Sequence, residues 1–325
     1  FLLWRMSGGA IHATDATNAS RTSLYDIVRG RWDEELCGIF GVPVSMLPEV
    51  RDSAGCFGEV EAFGVSLPVC GIAGDQQAAL VGQACFSAGD VKSTYGTGAF
   101  LVLNTGEELK LSSAGLLGTI AYRVAGRTTY ALEGSILSAG STIQWLRDGL
   151  GIIRDGAEAG EMAAVLEDTG GVYLVPAFVG LGAPHWDPDA RGALFGLTRG
   201  TSAAHIARAA LEATVFQTAE LLEAMAADAI APRRLRVDGG MAKNDWMLQF
   251  MSDVLGLEVV RPVNTETTAL GAAMLAAVGA GEFGTLEETE AFWSAQAAFT
   301  PGAAHEQRRA AIEGWKAAVA RVLRH

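Results

Sequence analysis

The chain twice shows the same pattern of hydrophobic and polar positions, a strand-like stretch that ends in an acidic residue among glycines. One stretch occupies residues 65–69 and leads to Asp75, and the other occupies residues 235–237 and leads to Asp238. A predicted helix follows each of them. Short strands that alternate with helices are typical of α/β proteins, so the pattern predicts two related α/β halves that meet at a cleft.

Helix signals are clearest in the second half of the chain. Thr201 or Ser202 is placed to cap a long helix that is predicted to reach about Ala229. Asn244 is placed to cap a second helix, whose apolar residues recur every four positions. The apolar residues 1–6 are predicted to form a strand.

Two turns contain candidate chemistry. Asp75 follows two glycines, Gly71 and Gly74, which allow positive φ and the close approach of a ligand. The residues alone leave two interpretations of Asp75 equally open, a catalytic carboxylate at a strand end or a simple helix cap. Thr97 lies between two glycines and offers a hydroxyl and amide N–H groups to a phosphate, although an ordinary hairpin turn explains the same residues more simply.

Composition narrows the range of functions. The 325 residues are 50% hydrophobic and 19% charged, which indicates a well-filled core. The net charge of −13 argues against a nucleic-acid partner but leaves phosphate ligands open, because glycine-rich backbone binds anions without a basic surface. Four scattered cysteines and no long apolar run predict a cytoplasmic protein with reduced thiols and without a membrane span.

Several motifs together resemble the FGGY family of carbohydrate kinases. They cover most of the chain in the order that the family shows: GIAGDQQAAL at residues 71–80, KSTYGTGAF at 92–100, VPAFVGLGAPHWDPDARGALFGLTRG at 175–200, and VDGG at 237–240 followed by Asn244. The resemblance implies an α/β, actin-like and ribonuclease H-like fold in which two domains close on a nucleotide. It also implies ATP-dependent phosphorylation of a polyol hydroxyl, with Mg²⁺ accompanying the ATP.

The resemblance also implies roles for individual residues. Asp75 matches the catalytic base, which binds the substrate as well, and Gln76 and Phe100 match substrate-binding positions. The Asp-Gln-Gln triplet favours glycerol, converted to glycerol 3-phosphate, over a pentulose. No residue is assigned to a metal. The positions that match nucleotide-binding residues are Thr97, Gly140, Gln144, Gly240 and Asn244.

The family comparison predicts a division into two domains. Residues 1–88 correspond to the end of a first domain that binds substrate and phosphate, and residues 89–325 to a complete nucleotide-binding domain. In the family a further segment precedes the position of Phe1, so the chain by itself is expected to be inactive or impaired. A homo-oligomer, dimer or tetramer, is expected of the complete enzyme. Two alternatives stay open: a kinase of another sugar or polyol, and a nucleotide-binding protein without catalysis.

Overall fold

The structure, a computed structural model, describes residues 1–302 and 305–323. The strands are β1 (Ala13–Asp15), β2 (Tyr25–Asp26), β3 (Arg31–Trp32), β4 (Glu49–Arg51), β5 (Ala54–Ala62), β6 (Val65–Gly71), β7 (Val91–Tyr95), β8 (Ala99–Gly106), β9 (Leu117–Val124), β10 (Arg127–Ile136), β11 (Tyr173–Val175), β12 (Ala193–Phe195), β13 (Arg234–Asp238), β14 (Glu258–Pro262) and β15 (Ala295–Phe299). The α-helices are α1 (Leu2–Met6), α2 (Ala16–Ala19), α3 (Glu34–Phe40), α4 (Asp75–Gly82), α5 (Gly140–Gln144), α6 (Gly156–Ala164), α7 (Ala203–Asp228), α8 (Asp245–Leu255), α9 (Thr267–Gly279) and α10 (His305–Ala320). Shorter helical turns occupy Val44–Met46, Trp145–Gly149, Gly240–Lys243 and Glu287–Phe292.

A mixed sheet runs through the described residues, in the strand order β15-β14-β13-β7-β8-β10-β9-β5-β6. Strand β13 lies parallel to both β14 and β7, whereas β7, β8, β10 and β9 pair antiparallel. The β5–β6 hairpin joins the other strands only where Ala54 lies opposite Val124. The two strands that precede acidic residues in the sequence, β6 and β13, therefore belong to different parts of one sheet.

Local capping chemistry explains where the long helices begin. Ser202 and His205 form a reciprocal capping box at the start of α7, where the sequence predicted Thr201 or Ser202 as the cap. Asn244 caps α8, because its Oδ1 accepts a hydrogen bond of 3.0 Å from the amide of Met247. The middle of α7 is buried and packs against α6, α8 and the sheet. The capping predictions for both helices are confirmed.

The strand predicted at residues 1–6 is wrong, because this segment forms α1. Only Leu3 is buried there, packed against Phe57 and Val60, while Phe1 and Leu2 are exposed. An apolar run this short has no period that distinguishes a strand from a helix, so the tertiary contact decides.

Helices α4 and α9 cross at unusually short range. A Cβ atom on Gly82 would lie 2.8 Å from the amide nitrogen of Gly271, and one on Gly271 would overlap the carbonyl oxygen of Ala78. Only glycine permits such an approach of two backbones. This crossing positions α4, whose first residue is Asp75, over the sheet.

Candidate active site

Asp75 stands at the start of α4, just beyond the end of β6. Gly74 is the N-cap, so the interpretation of Asp75 as the capping residue is wrong. The Asp75 side chain is exposed, and its Oδ1 accepts a hydrogen bond of 2.8 Å from the amide of Gln76. A solvent-facing carboxylate at a strand end is available to accept a proton from a bound hydroxyl group.

The glycines before Asp75 serve close approach and not unusual backbone angles. Neither Gly71 nor Gly74 has positive φ, contrary to one reason that the sequence suggested for them. A Cβ atom on Gly71 would lie 2.5 Å from the backbone nitrogen of Ala276, and one on Gly74 would lie 2.6 Å from Oε1 of Gln77. The glycines thus let α9 and the α4 side chains pack tightly against the turn that holds Asp75.

Strand β7 connects Gln76 to the interior of the sheet. Nζ of Lys92 donates hydrogen bonds to Oε1 of Gln76 and, at 3.0 Å, to Oγ1 of Thr94. Lys92 is wholly buried, and burial lowers the pKa of its ammonium group to about 8. Thr94 lies opposite both Phe100 of β8 and Asp238 of β13. Because residues opposite one another in neighbouring strands point to the same face, Phe100 shares a face with Lys92 and Thr94.

The five residues predicted to bind a nucleotide, Thr97, Gly140, Gln144, Gly240 and Asn244, line one cavity of about 860 Å³. The cavity lies between the β7–β8 turn, the α5 and α6 helices and the start of α8. Its volume lies within the range of sites for small molecules and cofactors. The structure therefore brings together residues that are up to 147 positions apart in the chain, from 97 to 244.

Backbone hydrogen bonds hold the β7–β8 turn, which contains Thr97, against the start of α5. The amides of Ala139 and Ser141 each donate to the carbonyl of Thr97 at 3.0 Å, and the amide of Gly140 donates to the carbonyl of Gly96 at 3.0 Å. Among the residues that the structure describes, the amide and hydroxyl of Thr97 have no protein acceptor. Because these two donors are exposed and unused, the turn is suited to an anionic ligand.

Asn244 both caps α8 and lines the cavity. Its Oδ1 is occupied by the α8 cap, and a Cβ atom on Gly160 would lie 2.7 Å from its Nδ2. The close packing of α6 on Asn244 brings α6 and the start of α8 together in one wall of the cavity.

Sequence reasoning missed three parts of the site: Lys92, Thr17 and helix α6. Helix α6 supplies Gly156, Ala157 and other residues of the cavity wall. Asp155 followed three positions later by Glu158 is a helix-start signal that could have revealed α6, since Asp155 caps it at 2.9 and 3.0 Å. Lys92 contacts Gln76, and Oγ1 of Thr17 accepts a hydrogen bond from the amide of Gly74. No local pattern marks either residue, because both contacts join residues that are distant in sequence.

The described residues contain no cluster of three or more His, Cys, Asp or Glu side chains that could hold a metal ion. They provide no cage for Mg²⁺, which proteins commonly bind through few carboxylates together with substrate phosphates. In the part of the chain with assigned structure, no helix is long and apolar enough to cross a membrane. All four cysteines are free thiols, and all but Cys56 are buried.

Comparison with known protein families identifies the chain. The profile of the FGGY family of carbohydrate kinases, C-terminal domain, matches residues 91–280, and that of the N-terminal domain of the same family matches residues 1–82. The chain belongs to the FGGY family of carbohydrate kinases. The resemblance drawn from its motifs is confirmed.

Individual members of the FGGY family are similar over almost the whole chain. A glycerol kinase of Alcanivorax borkumensis is 58% identical over 99% of this chain and 65% of that protein, and one of Rhodospirillum centenum is 57% identical over 99% of this chain and 65% of that protein. A crystal structure of Plasmodium falciparum glycerol kinase with ADP superposes with a TM-score of 0.92 at 39% identity, covering 100% of this chain and 66% of that one. The chain spans 64–66% of the length of the most similar curated glycerol kinases that it matches. The actin-like, ribonuclease H-like fold expected for the FGGY family is confirmed.

Proposed function

We propose that the protein transfers the γ-phosphoryl group of ATP to glycerol and forms glycerol 3-phosphate. The observation that carries the proposal is the link through β7. Lys92 of β7 contacts Gln76, which is next to Asp75. The turn that follows β7 contains Thr97, which lines the cavity of about 860 Å³. An acceptor site and a phosphate site thus lie at two ends of one short strand. The glycerol kinases at 57–58% identity support glycerol as the acceptor.

In the proposed reaction, this chain supplies a positioned base and a site that positions the nucleotide. Asp75 takes the proton of a glycerol hydroxyl as that oxygen forms its bond to the γ-phosphorus. The bond between the γ-phosphorus and the β–γ bridging oxygen breaks, and ADP leaves. When bound, Mg²⁺ neutralises charge on the phosphate oxygens.

The remaining residues hold the reactants. The Gln76 amide binds a glycerol hydroxyl, and Phe100, 38% exposed, offers an apolar surface to the glycerol carbons. Thr97 holds the phosphates, and Gly140 and Gln144 lie around the nucleotide. Gly240 and Asn244 lie nearer the adenosine. The ADP complex of the Plasmodium falciparum enzyme supports a nucleotide in this cavity.

The proposal is tested with the full-length protein, MgATP and a panel of glycerol, other polyols and pentuloses, with glycerol 3-phosphate measured directly. We expect glycerol to be preferred and Asp75→Asn to lower kcat by about 10³-fold with little change in ADP affinity. Asp33→Asn is the matched control, because Asp33 caps α3 and Asn caps equally well. Preference for a pentulose would overturn the substrate, and ADP binding without turnover of any acceptor would favour a nucleotide-binding protein without catalysis.

The division into domains at residue 88, the homo-oligomer and the cytoplasmic location belong to this proposal as well. The reduced activity expected of residues 1–325 alone is tested by comparing them with the full-length protein in the same assay.

A further inference from the structure

Lys92 is the most unusual charged residue near the proposed acceptor site. It is 0% exposed and is the second residue of β7, between Arg236 of β13 and Val102 of β8. Lysine is rarely buried completely, because removing an ammonium group from water costs several kcal/mol unless it is paired. A completely buried lysine therefore calls for a specific explanation.

The hydrogen bonds of Lys92 go to neutral oxygens and not to a carboxylate. They are accepted by Oε1 of Gln76 and Oγ1 of Thr94. The acidic groups that act on Lys92 are Asp238, Glu133, Cys85 and Asp75. Asp238 already accepts from Gln83 and Thr267, both at 2.7 Å, and Glu133 pairs with Arg21 at 2.8 Å. Stabilisation of an ion pair therefore does not account for the position of Lys92.

The chemistry of Lys92 decides which way the Gln76 amide faces. An ammonium group has three donors and no acceptor, so the amide atom that it contacts must be the oxygen. The other end of the amide, Nε2, has no acceptor within hydrogen-bond distance among residues 1–302 and 305–323. Gln76 is half-buried and adjoins the exposed carboxylate of Asp75. A glutamine that could otherwise present either end to a ligand is thus held with its donor end free.

We propose that Lys92 is a positioning residue that holds Oε1 of Gln76, so that the amide donates from Nε2 to a hydroxyl oxygen of the acceptor substrate. The inference rests on the proposed function and assigns a direction to one of its hydrogen bonds. Without Lys92 the amide rotates freely and presents the wrong end part of the time. The consequence is weaker binding of the acceptor, with nucleotide binding unaffected.

A double-mutant cycle in the full-length protein tests the coupling. Wild type, Lys92→Met, Gln76→Ala and the double variant are compared by KM for glycerol, KM for ATP and kcat. We expect each single variant to raise KM for glycerol about tenfold and to leave KM for ATP within about twofold. The KM for glycerol of the double variant should be no higher than that of the more impaired single variant, because Lys92 acts through Gln76. Multiplicative effects in the double variant would overturn the proposal.

Gln76→Glu tests the direction of the amide with Lys92 intact, and so covers the case in which Lys92→Met does not fold. Glutamate keeps one oxygen for Lys92 and replaces the Nε2 donor by an acceptor. We expect KM for glycerol to rise at least as much as in Gln76→Ala. Retention of the wild-type KM would overturn the proposal. An inactive wild type would overturn the proposed function and this inference together, whereas an active wild type with an unaffected Gln76→Glu variant would overturn the inference alone.

Discussion

Oγ1 of Thr17 accepts a hydrogen bond of 2.8 Å from the amide of Gly74, 57 residues further along the chain. The hydroxyl proton of Thr17 points the other way, to Oδ2 of the buried Asp15 at 2.7 Å. Asp15 also accepts from Oγ of Ser53 at 2.7 Å. This buried chain of hydrogen bonds holds the residue immediately before Asp75. Asp15 and Thr17, at the start of α2, therefore support the proposed catalytic carboxylate.

Thr17→Val should impair both stability and catalysis. The variant leaves the Gly74 amide buried without its acceptor, which should cost about 1–3 kcal/mol of the free energy of unfolding. We expect kcat for glycerol phosphorylation to fall about tenfold, because small displacements of a reacting group are costly, while KM for ATP is maintained. Urea unfolding and steady-state kinetics give the two values.

Thr22→Val is the matched control for this effect. Its hydroxyl donates to the carbonyl of Ala19 and accepts from the amide of Leu24, and it has no contact with the Asp75 turn. The control should lose stability and keep its kcat. Equal losses of kcat in both variants would show that the Thr17–Gly74 bond has no special part in catalysis.

Two glycines of the cavity should respond differently to alanine. A Cβ atom on Gly140 would overlap the carbonyl oxygen of Gly96, whereas one on Gly240 would meet no protein atom within 4 Å. Gly140→Ala should therefore lower both the melting temperature and the affinity for ADP. Gly240→Ala should stay within about 0.5 kcal/mol of wild-type stability. Under the proposed function it should still bind ADP about tenfold more weakly, because its methyl group would project into the cavity. Calorimetric titration with ADP decides, and an unchanged affinity in Gly240→Ala would remove residue 240 from the nucleotide contacts.

Gly271→Ala should separate α4 from α9. The added methyl group would overlap the carbonyl oxygen of Ala78, which belongs to a helix backbone and has little freedom to move. We expect a loss of about 3 kcal/mol in the free energy of unfolding. Gly38→Ala, in a helix position with no atom within 4 Å, should instead stabilise the protein by about 0.5–1 kcal/mol. Loss of stability in both variants would contradict the close-packing explanation.

The buried Lys92 predicts an alkaline dependence of stability. Its pKa is about 8 in the folded protein and 10.5 as the ordinary value, so between these values the unfolded chain binds more protons. The Lys92 contribution to stability should therefore rise with pH across this window, by at most about 3 kcal/mol, and be lowest below pH 8. Comparison of wild type with Lys92→Met by urea unfolding isolates this contribution, because other titrating groups are common to both. A difference that does not change between pH 8 and 10.5 would contradict the buried charge.

Local sequence determined those features of this protein that depend on neighbouring residues. The caps at Ser202 and Asn244 follow from contacts within a few positions, where residue type alone constrains the backbone. The same information failed at residues 1–6, where only the packing of Leu3 on Phe57 selects a helix.

Tertiary structure alone decided how the site is held together. The amide of Gly74 meets Thr17, Lys92 meets Gln76, and α4 approaches α9 through Gly82 and Gly271. Each contact joins elements that are distant in sequence. The two hydrogen bonds depend on burial and on the position of their partners, whereas the helix crossing depends on the absence of side chains at Gly82 and Gly271. Residue order shows which groups are present, whereas their partners exist only once the sheet and helices have packed.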